Sequence, residues 1–261
     1  MIAIVDYGMG NLRSIQNMLK HLGAPSVITS EAAEIESAKH IILPGVGAFD
    51  NAMANIERLG LRPIIRAAVD KGTPLLGICL GMQLLARRSE EGRLSGLGLI
   101  EADVLRFDFS RLEKKLNVPH MGWNSVRVRR DNRLLPPGSV EDSLEGARPV
   151  STSAAKPLPN IGRCGHLPCT CNPQPGFSPG LAGESHRFYF VHSFHLRCDR
   201  PEDVIGVTEY GYPFASVVGR DNLYGTQFHP EKSHRFGIDL LANFVRIGQY
   251  AHHPCDALSA R

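Results

Sequence analysis

Over the first ninety residues, short apolar runs alternate with amphipathic stretches, and glycine or proline stands at most of the junctions. Residues 2–7 form an apolar run of strand length. Behind it Leu12, Ile15, Met18, Leu19 and Leu22 recur at helical spacing, with Asn11 expected to cap the segment and Gly23 to end it. Residues 27–29 and 40–43 read as further strands, the second running into the turn Pro44-Gly45-Val46-Gly47, after which Asp50 is placed to cap a helix. A helix over 63–71 stops at Gly72, followed by a strand over 75–78 and a helix from 80 to about 88. Strands separated by helices do not pair as hairpins, so the expected fold is α/β, a mostly parallel sheet flanked by helices on both faces.

Past residue 90 the pattern changes. Residues 99–107, 125–129, 188–191, 204–210, 215–218 and 223–228 are strand-like with short connections, which predicts an antiparallel portion. A last helix over 235–250 carries Ile238, Leu241, Phe244 and Val245 on one face. Between the strands, residues 136–186 hold nine of the 18 prolines and seven glycines without a period of 2 or 3.6. That composition reads as a loop excursion whose removal over 140–183 leaves the fold intact. The organisation is thus one domain over 1–250, interrupted by a Pro/Gly-rich insertion at about 136–186, with a tail at 251–261.

Composition narrows the function classes. With 43% hydrophobic and 21% charged residues the chain is neither fibrous nor wholly disordered. Its most apolar stretch, 74–82, falls far below the roughly 20 residues that cross a bilayer. A net charge of +3 is too small to argue for nucleic acid. The opening Met-Ile-Ala-Ile-Val-Asp reads as a first strand rather than an export signal, so a cytoplasmic location is expected, with neither membrane nor nucleic acid as a partner.

Gly77-Ile78-Cys79-Leu80-Gly81, set between an apolar strand and a helix, has the layout of a nucleophile elbow with cysteine as the nucleophile. Small neighbours two residues either way leave room for a sharp strand-to-helix turn, and the helix N-terminus favours a thiolate. The same segment also suits a small buried cysteine at a packing turn. Gln227-Phe228-His229-Pro230-Glu231 follows a strand, where residues i and i+2 project on one side, so His229 and Glu231 can share a face and act as base and orienting carboxylate. A surface His and Glu at a strand end would show the same spacing.

Gly77-Ile78-Cys79-Leu80-Gly81-Met82-Gln83 together with Tyr224-Gly225-Thr226-Gln227-Phe228-His229-Pro230-Glu231-Lys232-Ser233 resembles the triad-type class I glutamine amidotransferases. More narrowly, Asp6-Tyr7-Gly8-Met9-Gly10-Asn11, Pro44-Gly45-Val46-Gly47-Ala48-Phe49 and His120-Met121-Gly122-Trp123-Asn124 look like the glutaminase subunits of imidazole glycerol phosphate synthases. The likeness covers residues 1 to about 135 and about 187 to 250.

The resemblance implies that Cys79 attacks the side-chain carboxamide of L-glutamine, His229 moves the proton and Glu231 orients His229. Ammonia leaves and a thioester remains for water to hydrolyse. The Leu80 amide suits an oxyanion donor by elbow geometry, and the resemblance points to the turn Pro44 to Gly47 for the second, where the Val46 amide, flanked by Gly45 and Gly47, would supply it through a peptide flip tied to activation by the partner. By the same likeness Gln83, one turn beyond Cys79, and His192, Ser193 and Phe194 hold glutamine. Phe194 stands where the family commonly has tyrosine. Ammonia must reach its acceptor unprotonated, and the implied heterodimer partner is a (β/α)8-barrel cyclase that makes imidazole glycerol phosphate and AICAR in histidine biosynthesis. Asn11, His120, Met121, Trp123 and Asn124 are implied at or near the docking face, with no cofactor and no metal.

Other readings stand beside this one. Cys164, His166, Cys169 and Cys171 offer four zinc ligands, but pairs one residue apart close a tetrahedron awkwardly, so solvated thiols are expected. Gly8-Met9-Gly10-Asn11-Leu12-Arg13 is an incomplete dinucleotide fingerprint, with Arg13 in the third glycine position. A glutaminase subunit feeding another synthase, for example one aminating a surface-polysaccharide sugar, and a noncatalytic docking subunit are the alternatives of function.

Overall fold

Strand β1 (Ile2–Val5) serves two cores at once: Ile2 and Ile4 pack with Ile15 and Leu19 on one face of the sheet, while Ala3 and Val5 pack with Ile35 and Phe49 on the other. A strand that is apolar on both faces requires cover on both. Helices α1 (Leu12–His21) and α6 (His234–Arg246) supply it on the first face; α2 (Ala32–Glu36), α3 (Phe49–Arg58) and α4 (Leu61–Asp70) supply it on the second. The structure is a computed structural model that describes residues 1–110, 112, 116–136 and 186–248.

The sheet runs β2 (Ser26–Thr29), β1, β3 (His40–Leu43), β4 (Leu75–Ile78) and β12 (Leu223–Thr226), all parallel. It continues antiparallel through β11 (Tyr212–Arg220), β10 (Val204–Tyr210), β7 (His120–Val128) and β8 (His186–His192). A branch of β5 (Arg88–Ser89), β6 (Ala102–Arg106) and β9 (Phe194–Cys198) returns to β11 at Ala215, opposite Leu196. This is the expected mixture of a helix-covered parallel sheet and an antiparallel portion.

Register positions the site. In β12 and β4, Thr226 stands opposite Ile78; in β3 and β4, Leu43 stands opposite Gly77. Because these strands are parallel, the segments that leave their carboxyl ends at residues 44, 79 and 227 emerge side by side, the usual place for a site in an open α/β sheet.

Several local expectations are corrected. Helix α5 (Leu80–Leu84) ends well before residue 88, because the chain turns there into β5. Asn11 precedes α1 without a side-chain cap, its Oδ1 accepting instead from the Ser14 hydroxyl at 2.8 Å. Asp50 lies inside the first turn of α3, where its carboxylate accepts from the backbone N–H groups of Arg93 and Leu94. Strand β9 and helix α2 carry too few periodic residues to stand out in the sequence. Helix α6 ends at Arg246.

Residues 137–185, with Cys164, His166, Cys169 and Cys171, and the tail from 249 lie outside the described residues. The strands on either side of the long segment, β7 and β8, are antiparallel neighbours with Val126 opposite His186. Among the described residues no cluster of His, Cys, Asp and Glu has the makings of a metal site, and no helix is long and apolar enough to cross a membrane.

Candidate active site

Cys79 stands between β4 and α5 with φ 54° and ψ −109°, a conformation that side chains rarely adopt and that costs about 1–3 kcal/mol. The surroundings hold it there. Its N–H donates to the Thr226 carbonyl at 2.7 Å, and Gly77, Gly81 and Gly45 interlock beneath it, a Cβ on Gly45 falling 2.7 Å from the Gly81 nitrogen. The Tyr7 hydroxyl donates to the Pro44 carbonyl and so anchors the start of the turn at 44–47 from inside the core. With only five residues α5 aligns few peptide dipoles behind the elbow.

His229 follows β12 and is 1% exposed. Its Nδ1 lies 2.8 Å from Glu231 Oε1 inside a side-chain environment almost closed to solvent. The 3₁₀ turn Pro230–Lys232 brings the carboxylate back under the ring, and Ser233 locks the segment: its hydroxyl donates to the His229 carbonyl at 2.6 Å and accepts from Tyr189 N–H at 3.1 Å. Burial by itself lowers the imidazole pKa, but the Cys79 sulfur and the Glu231 carboxylate outweigh it and hold His229 well above the ordinary imidazole range. Nε2, buried, is the ring nitrogen left for the Cys79 sulfur.

A cleft of about 340 Å³ opens over the sulfur, and Cys79, Leu80, Gln83, Val46, Gly47, His192, Ser193, Phe194 and His229 all line it. Glu231 is behind His229. Gln83 is 4% exposed, and its side-chain NH2 donates to the Phe194 carbonyl and to Gln227 Oε1, each at 3.1 Å. Gln227 in turn aims its own NH2 at the Cys79 sulfur at 3.7 Å. Sequence reading passed over Gln227, although it stands two residues before His229 and shares its side of an extended segment; that i, i+2 spacing was the available signal. Glu91 and Lys232 also line the cleft without having been anticipated. Burial pushes the Glu91 carboxyl up, against the Phe49 N–H that it accepts.

The segment 120–124 divides. Met121 is 62% and Trp123 is 41% exposed, with Trp123 lying flat on His234 at 5.5 Å between ring centroids. His120 points inward, 3% exposed, stacked on Tyr210 and Phe190, and so has no surface of its own to offer a partner. Asn124 is half-buried, its Nδ2 donating to the Glu209 carbonyl at 2.9 Å and reaching His120 Nε2 at 3.2 Å. Asn11 is half-buried at the start of α1.

Fold and site define a class: an α/β protein with a cysteine held on a strained elbow at the carboxyl edge of the sheet, facing a histidine–glutamate pair. Residues 3–158 match the model of the family described as glutamine amidotransferase class-I. The chain is 42% identical over 247 residues to imidazole glycerol phosphate synthase subunit HisH 2 of Methanococcus maripaludis, covering 94% of this chain and 99% of that one. It is 39% identical over 248 residues to the HisH subunit of Leptospira interrogans, covering 95% and 100%. A crystal structure of a glutamine amidotransferase shares the fold, with a TM-score of 0.60 at 18% identity over 95% of this chain and 98% of the other. The chain belongs to the class-I glutamine amidotransferases and, within them, to the family of imidazole glycerol phosphate synthase subunit HisH.

Proposed function

We propose that this chain hydrolyses L-glutamine through a Cys79 thioester and passes the ammonia to a cyclase partner of (β/α)8-barrel form, which makes imidazole glycerol phosphate and AICAR in histidine biosynthesis. The 2.8 Å contact between His229 Nδ1 and Glu231 Oε1 carries the reading. It stabilises the imidazolium, whose Nε2 holds the thiol proton while sulfur attacks the carboxamide carbon. His229 returns that proton to the departing nitrogen, which leaves as ammonia. Water, deprotonated by the same ring, then cleaves the thioester to glutamate and frees the thiol.

The oxyanion formed in each attack needs two donors. The Leu80 amide is one. The Val46 N–H is the other, and the glycines on either side of it, Gly45 and Gly47, the latter at φ 99°, give that amide the freedom to turn. With both amide hydrogens of Gln83 already engaged, that residue meets substrate through its Oε1 acceptor. Glu91 and Lys232 complement the zwitterion of an amino acid, beside His192, Ser193 and Phe194. Met121 and Trp123, apolar and outward on β7, with Asn11 and Asn124 beside the same reading, belong to the docking face. One domain over 1–250 and a cytoplasmic location complete the proposal.

The test is glutamate release by the chain alone, by the chain with the barrel cyclase, and by that complex with its ribonucleotide substrate. Low release alone and strong release in the full mixture support the proposal. Equal release in all three would contradict partner control, and none in any would contradict hydrolysis.

A further inference from the structure

We propose that His120 and His192 are positioning residues for the nucleophile, through a buried file of hydrogen bonds that starts at Asn124 on β7 and ends at the Cys79 sulfur; the inference rests on the glutaminase reading above. The file runs from Asn124 Nδ2 to His120 Nε2 at 3.2 Å, from His120 Nδ1 to His192 Nε2 at 3.0 Å, and from His192 Nδ1 to the Phe194 carbonyl at 2.7 Å. That carbonyl also accepts from Gln83, Gln83 donates to Gln227, and Gln227 donates to the sulfur. The distance spanned in sequence, from 124 to 79 by way of 192 and 227, hides it from any local pattern.

Every direction along the file follows from groups that have only one role. Asn124 Oδ1 accepts from Ser125 N–H and its Nδ2 donates to the Glu209 carbonyl, so NH2 is the group that faces His120. His120 Nε2 must therefore accept and its Nδ1 must carry the hydrogen. That hydrogen makes His192 Nε2 an acceptor and puts the second hydrogen on His192 Nδ1, toward Phe194. At the far end the Phe194 carbonyl can only accept, which turns the Gln83 NH2 toward it. The other Gln83 hydrogen then requires Gln227 Oε1, and the Gln227 NH2 is left pointing at sulfur, where a donor favours the thiolate over the thiol. The Phe194 carbonyl is where the two halves meet, and each imidazole is neutral in one tautomer. An added proton on either ring would set hydrogen against hydrogen at one of the joints.

His120 lies in the core of the same strand whose neighbouring residues, Met121 and Trp123, are exposed. A shift of β7 is thus felt at the Phe194 carbonyl two joints away and at the sulfur three joints beyond it.

The test compares wild type, His120→Phe, His120→Gln and Asn124→Leu as full chains, following alkylation of the Cys79 peptide by iodoacetamide against pH with mass-spectrometric readout. His120→Phe and Asn124→Leu are expected to raise the midpoint, by about one pH unit in the first case, and His120→Gln to recover part of it. In the complex His120→Phe loses about tenfold in glutamine-dependent kcat/KM while ammonia-dependent synthesis is unchanged. Midpoints equal to wild type in either folded variant overturn the inference; Asn124→Leu, at a half-buried position, decides it where His120→Phe does not fold. Wild-type complex that releases no glutamate would instead end the parent reading.

Discussion

Gly81 passes so close to Leu43 that a Cβ on Gly81 would lie 1.8 Å from the Leu43 carbonyl oxygen. That carbonyl ends β3 at the entrance to the turn 44–47, so one glycine joins the elbow to the turn proposed to supply the second oxyanion donor. Gly81→Ala should cost about 2 kcal/mol or more, because backbone and not a flexible side chain must yield. A urea denaturation midpoint within error of wild type would show that the two turns are not locked together.

Removing the carboxylate from beneath His229 should unset its tautomer and lower its pKa. Glu231→Gln is expected to cut glutamine-dependent kcat by about a hundredfold or more, in line with a lost general base, with ammonia-dependent synthesis untouched. A loss below about threefold would remove Glu231 from the mechanism.

Buried imidazoles predict an acid limit. Burial lowers His192 to about 3 and His120 to about 4, from 6.5 when exposed. Both folded values lie below the unfolded one, so the unfolded chain takes up protons first as pH falls. Stability contributed by these rings is complete above about pH 6.5 and is lost as pH falls from there to about pH 4 for His120 and about pH 3 for His192, at up to about 1.4 kcal/mol per pH unit for each ring. His120→Phe should be less sensitive over that window. Parallel curves for wild type and variant would contradict the buried neutral pair.

Trp123 is exposed yet held flat by His234, an arrangement suited to an anchor that loses little freedom on docking. Trp123→Ala should weaken cyclase binding by about 2 kcal/mol, near thirtyfold, with little effect on the melting temperature of the isolated chain. Unchanged affinity in a titration removes it from the interface.

The parallel half of the sheet and the elbow were legible because each rests on local facts. Four-residue apolar runs such as Ile2–Val5 mark strands buried on both faces, and glycines flanking Cys79 mark a turn that admits no side chains. The sequence overstates α5 because its apolar residues run on past the point where tertiary pairing into β5 takes the chain away. On β7 the usual pattern is inverted: apolar Met121 and Trp123 face out while polar His120 faces in. Which face a strand buries depends on what lies across it, and that is not written in five residues. Gln227 escaped for a related reason, since its importance lies in a sulfur 148 positions away.

The most direct measurement is synthesis by the cyclase complex carrying Cys79→Ala, run once with glutamine and once with ammonium salt at a pH that supplies free ammonia. Glutamine-driven product should fall to background and ammonia-driven product should match the wild-type complex. Glutamine-driven synthesis persisting at a wild-type rate in that variant would mean that the sulfur on the elbow is not what opens the amide.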